Sequence, residues 1–142
     1  MYKIEKNSYG FKMTFGGAMT KEELEQWLKE AENALKTAKP PFGALIDMRT
    51  LVALRPDAQA VIVKGQGLFR AKGMQRSAVI LNDPVVTGQF MRLAKESGIY
   101  AYERYIDASA DPQWQRHAED WVKTGTDPDA AHAHLQETVS RK

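Results

Sequence analysis

The chain has 142 residues, 43% of them hydrophobic and 27% charged, which fits one folded domain with a core of useful size. Twenty Lys and Arg against eighteen Asp and Glu leave a formal charge of +2, too small to hold a phosphate backbone or an anionic membrane surface, so no nucleic-acid partner is expected. The absence of cysteine excludes a disulfide framework, a thiolate metal site and a Cys nucleophile.

Residues 1–6 lack the apolar core of a signal peptide and no apolar run approaches bilayer length, so no transmembrane segment and a cytoplasmic location are expected. Residues 2–9 mix polar and apolar side chains. Gly10 breaks that run, and Phe11, Met13 and Phe15 then alternate onto one face, which predicts an opening β-hairpin joined at Ser8-Tyr9-Gly10. Thr20 followed by Glu23 is a capping box. Leu24, Trp27, Leu28, Ala31 and Leu35 then repeat at helical spacing until Pro40-Pro41 ends the element.

The run Phe42-Gly43-Ala44-Leu45-Ile46-Asp47 reads as a central buried strand, and Ser77-Ala78-Val79-Ile80-Leu81 as its neighbour. Between them a helix starting near Pro56 and Asp57 carries Val61, Ile62, Leu68 and Phe69, closes at Gly73, and makes a βαβ crossover. A third helix, capped by Asp83 with Pro84 in its first turn, presents Val86, Phe90, Leu93 and Ala94 and stops at Gly98. Residues 99–106 alternate as a last strand, with Tyr100, Tyr102, Arg104 and Ile106 on one face and Ala101, Glu103 and Tyr105 on the other. A fourth helix after Asp111-Pro112 shows Trp114, Ala118, Trp121 and Val122 to the core. The order ββαβαβαβα predicts an α/β domain over residues 1–125, a mixed sheet of about five strands with four helices. Residues 126–142 lack an apolar stripe and are expected to form a tail, either a short helix or a mobile segment.

This order, with Leu45-Ile46-Asp47-Met48-Arg49 closing the central strand, Ala78-Val79-Ile80-Leu81 in the next, Glu103-Arg104-Tyr105-Ile106-Asp107 in the last, and Ala118-Glu119-Asp120-Trp121-Val122 in the closing helix, resembles the STAS-like proteins. That is the superfamily of bacterial anti-sigma-factor antagonists, and the likeness is nearest to its small SpoIIAA-like branch. It implies a non-catalytic regulatory or scaffolding module that binds a protein partner, and relatives of similar fold hold apolar small molecules. In the phospho-regulated members a serine lies just beyond the central strand. Residues 49–56 of this chain contain no serine, and Thr50 is the one hydroxyl there.

Asp47 and Arg49 stand at the carboxyl end of the predicted central strand, where open α/β sheets place ligands, and with Thr50 and Arg55 they form the candidate partner-binding set. Their ordinary structural role is a turn cap and a solvated cation. Gly65, Gly67, Leu68, Phe69, Phe90 and Met91 mix small and large side chains and are the candidate lining of an apolar pocket between the sheet and the second and third helices. Gly65-Gln66-Gly67 lies in a helical pattern rather than after a strand, so it carries little phosphate-loop signal, and close helix packing is its plainer reading. Lys64, Arg70, Lys72 and Arg76 read as a solvated basic face. His117, His132 and His134 lack metal-ligand spacing, so no metal and no cofactor are expected. The aromatic set Tyr100, Tyr102, Tyr105, Trp114 and Trp121 is expected mainly in the core, any exposed member being an interface anchor. Two function classes stay open: a module acting by protein contact, with a homo-oligomer compatible, and a carrier of an apolar small molecule or lipid.

Overall fold

A computed structural model of the chain describes residues 1–129. The opening hairpin forms as its alternation dictates. β1 (Tyr2–Asn7) runs antiparallel to β2 (Gly10–Gly17), and the Asn7 side-chain carbonyl accepts from the backbone N–H groups of Tyr9 and Gly10 to close the turn. Helix α1 (Lys21–Leu35) starts where the capping box sits, the Thr20 hydroxyl accepting from the Glu23 N–H.

The strands β3 (Phe42–Leu51), β4 (Met74–Leu81) and β5 (Glu103–Asp107) then join in parallel, giving the spatial order β1-β2-β3-β4-β5. The strand β2 is also parallel to β3, so α1, α2 (Pro56–Ala71) and α3 (Pro84–Ser97) all make crossovers, and α4 (Trp114–Thr124) follows the last strand. Gly98 and Gly125, at φ 86° and 74°, end α3 and α4 in the left-handed conformation that a side chain would strain.

Successive strand residues point to opposite faces, so the sheet carries two separate cores. On one face Phe11, Met13, Ala44, Ile46 and Val79 pack beneath α1, α2 and α3; on the other Leu45, Ala78, Ile80 and Ile106 pack against Ala118, Trp121 and Val122 of α4. The three crossover helices therefore enclose space on one side of the sheet only.

Two expectations are corrected. The central strand runs on to Leu51, because Gly16 and Gly17 of β2 resume pairing with Thr50 and Leu51 beyond a shift in register, so Thr50 belongs to the strand rather than to the following loop. The strand expected over residues 99–106 pairs with β4 only from Glu103 onward. Its first part is a 3₁₀ turn, Tyr100–Tyr102, closed by the Tyr102 N–H on the Ile99 carbonyl. The chain has to descend there from the helix layer to the sheet, and the pairing of β4 with β5 begins at Ser77.

Candidate functional site

In β5 the alternation sends Arg104 and Ile106 toward α4 and turns Glu103 and Tyr105 toward the three-helix side. Glu103 stands directly opposite Ser77 of β4, and both are buried, at 4% and 1% exposed. The Ser77 hydroxyl donates to Glu103 Oε2 at 2.7 Å, and the Tyr105 hydroxyl donates to Oε1 at the same distance. Among the described residues no cation contacts the carboxyl. Arg104, the next residue, passes to the far face, where it lies over Trp121 and holds Asp127 at 3.0 Å. Burial pushes the Glu103 carboxyl up to about 7 although both hydroxyls act to lower it. The Tyr105 phenol is raised in turn, first by burial and then by the carboxylate beside it, and it stays a donor.

This carboxyl lines a cavity of about 40 Å³ whose other walls include Phe15, Trp27, Gly65, Phe69 and Phe90. One water needs roughly 10–15 Å³ and benzene fits about 150 Å³, so the space as it stands admits a small polar group and not a ring. Gly65 lets α2 approach the Trp27 ring: a Cβ there would meet two ring carbons at 2.4 Å. Trp27 lies parallel to Phe69 at 6.1 Å, and its indole N–H is buried without a hydrogen-bond partner among the described residues. At the cavity's edge the Ser97 hydroxyl of α3 donates to the Gln66 side-chain carbonyl of α2 at 2.9 Å, tying the two helices together.

Of the six residues expected to line an apolar pocket, Gly65, Phe69 and Phe90 do so. Gly67, Leu68 and Met91 are half-buried and take no part in the lining. Helical geometry explains the split, since Gly65 and Phe69 are four residues apart on one face while Gly67 points away, with nothing within 4 Å of a would-be Cβ. The lining also includes Met13, Ile46 and Met48 of the sheet and Trp27 of α1, so α1 encloses the space as well as α2 and α3. Glu103 is the residue that sequence reasoning missed. Its signal was the shared face with Tyr105, an acidic side chain two residues from a core aromatic.

The candidate partner-binding residues form no second cavity. Arg49 grips Asp47 through Nε at 3.0 Å and a terminal nitrogen at 2.9 Å, and its guanidinium covers Trp114 at 4.4 Å. Burial acts to raise the Asp47 carboxyl, but the bonds from the Arg49 side chain and backbone outweigh it and hold the carboxyl below its usual range. Thr50 is exposed at the end of β3, and Arg55 is exposed at the start of α2. The basic set divides: Arg70 covers Tyr102 at 4.2 Å, whereas Arg76 approaches Trp121 on the opposite face. Tyr100 and Tyr102 are the exposed aromatics, at 41% and 42%.

His117 Nδ1 lies 2.6 Å from Asp111 Oδ2, and the other oxygen of Asp111 accepts from the Gln113 N–H, so this pair anchors the start of α4. Among the described residues no cluster of His, Asp and Glu has metal-holding geometry, and no helix is long and apolar enough to cross a membrane. In the segment expected to be a tail, Asp127 and Asp129 both pair with Arg104. His132, His134 and the rest of residues 130–142 lie outside the described residues.

A hairpin feeding a parallel sheet, with three crossover helices on one face and a closing helix on the other, is a STAS-like α/β fold of the SpoIIAA-like kind. A solved structure similar to it is that of an uncharacterized protein from the DUF3478 family with a SpoIIAA-like fold, from Shewanella loihica PV-4. The two are 26% identical over 86% of this chain and 92% of the other, with a TM-score of 0.57. No family model matches the chain, and no curated protein does.

Proposed function

We propose that the protein is a non-catalytic binding module that takes a small molecule with an apolar body between its sheet and the helices α1, α2 and α3. The observation that carries this reading is Glu103, a carboxyl 4% exposed with no cation on it among the described residues, set in a cavity whose walls are otherwise mainly apolar. Folding alone gains nothing from such a group, because burying a carboxyl costs several kcal/mol, on the order of magnitude of a whole domain's stability, unless it is paired. A carboxyl kept at the wall of an apolar space is what a binding site needs to orient an otherwise featureless ligand. A body larger than the present cavity requires α2 and α3 to part at Gln66 and Ser97, which breaks one hydrogen bond worth about 1 kcal/mol. A cysteine-free chain suits a reducing cytoplasm, where we place its action.

Native mass spectrometry of freshly purified protein tests the reading. A reproducible bound mass, lost on denaturation and diminished by filling the cavity with Gly65→Leu, is the expected result. An unliganded mass together with no response of Trp27 emission to a panel of small apolar alcohols, amines and acids overturns it.

A second reading, regulation through a protein partner at residues 47–60, is favoured by Val52 and Val85, which are 53% and 64% exposed. They flank a seam in which Gln89 of α3 binds Leu54 and Asn82 binds the Arg49 carbonyl. Capture of a specific partner that survives charge reversal at both Arg49 and Arg55 would remove this surface from consideration.

A further inference from the structure

We infer that the cavity selects a ligand bearing an organic ammonium group, with Glu103 as its counter-ion. The inference rests on the cavity being the binding site and names the chemistry it recognises. Glu103 is the one ionisable side chain among the lining residues, so a bound molecule meets a single potential charge. Its two oxygens each accept one hydroxyl, from Ser77 and Tyr105, which leaves a lone-pair direction on each for a donor from the ligand.

Phe15, Trp27, Phe69 and Phe90 bring four aromatic rings to the lining, and ring faces attract a desolvated ammonium. A cavity lined by a carboxylate and by aromatic rings therefore offers charge pairing and cation–π attraction together. A ligand carboxylate would be repelled at the same place, and a neutral hydroxyl would gain a hydrogen bond without the charge. The cavity of about 40 Å³ takes a methylammonium-sized head without rearrangement, and the apolar remainder of a longer amine lies where Gln66 and Ser97 now close the edge.

The test is calorimetric or NMR titration of the whole protein near pH 8 with n-alkylamines from methylamine to butylamine, beside the matching alcohols and carboxylates, in wild type and in Glu103→Gln. Amines are expected to bind at least about tenfold more tightly than the alcohols of equal length, a margin typical of a charge-assisted hydrogen bond over a neutral one. The margin should vanish in Glu103→Gln, and binding of the alcohols to that variant at any strength reports that its cavity is intact. Alcohols binding as well as amines in wild type, or an amine preference that persists in Glu103→Gln, overturns the ammonium assignment and leaves the cavity as a binding site. Should none of the three series bind, the binding-module reading falls with it. If Glu103→Gln does not fold, the ratio of amine to alcohol affinity in wild type decides the matter.

Discussion

Ser77 and Glu103 are register partners across β4 and β5, and the serine hydroxyl meets the glutamate carboxyl at 2.7 Å inside the sheet's helix-covered face. Strand pairing thus places a buried acid beside a hydroxyl with Tyr105 on its other oxygen, and among the described residues no basic side chain reaches the group. The consequences reach both stability and binding.

The first consequence is a pH dependence of folding. The carboxyl rises from its ordinary 4.5 to about 7 in the folded protein, so between those values the folded state holds a proton that the unfolded state has released. Its contribution is fully present below about pH 4.5, is lost as pH rises through 7, and levels off above that; the amplitude is about 3 kcal/mol. Urea unfolding near pH 5 and near pH 8 should show this decline in wild type and a much flatter profile in Glu103→Gln. Parallel profiles for the two proteins would mean that another group dominates.

Two glycines two residues apart in α2 should respond in opposite senses to alanine. At Gly65 the new methyl meets the Trp27 ring at 2.4 Å, and overpacking of this kind costs about 1–3 kcal/mol. At Gly67 nothing lies within 4 Å, so Gly67→Ala keeps the gain in helix propensity, about 0.5–1 kcal/mol of added stability. Denaturant midpoints of the two variants decide the matter, and a destabilised Gly67→Ala would show that the position meets a neighbour in solution.

Truncation after Gly125 removes Asp127 and Asp129, the acidic partners of Arg104 among the described residues. Because the Arg104–Asp127 pair is partly exposed, with side-chain exposures of 20% and 30%, the expected loss is about 1 kcal/mol or less. A loss above about 2 kcal/mol in chemical unfolding would mean that the segment packs on the core rather than resting on one arginine.

Arg49→Ala should change folding stability by no more than about 1 kcal/mol, since the Asp47–Arg49 pair is solvent-accessible on the arginine side. It should also unstack Trp114 and alter its fluorescence, because the guanidinium lies 4.4 Å from that ring. An unchanged Trp114 signal would argue that the stacking is not populated in solution.

The amino-acid order alone determined the elements whose signals are local. The Thr20–Glu23 box, the Asp83-Pro84 start and the stop at Gly98 act within a few residues, through backbone hydrogen bonds and φ restrictions, and each lies where it was expected. The apolar stripe of Leu24, Trp27, Ala31 and Leu35 was legible for the same reason. The candidate site was legible only in part. Gly65, Phe69 and Phe90 were visible as a mixture of small and large residues, but which members of that mixture share a wall depends on how α2 and α3 are rotated against the sheet. Glu103 was not visible as a site residue, because an alternating strand with one acidic side chain looks the same whether that face meets water or helices. Only the pairing of β5 with β4, and the helices laid over it, put the carboxyl opposite Ser77 and out of reach of solvent, since burial is set by what other segments bring to a residue and not by its own neighbours in the chain.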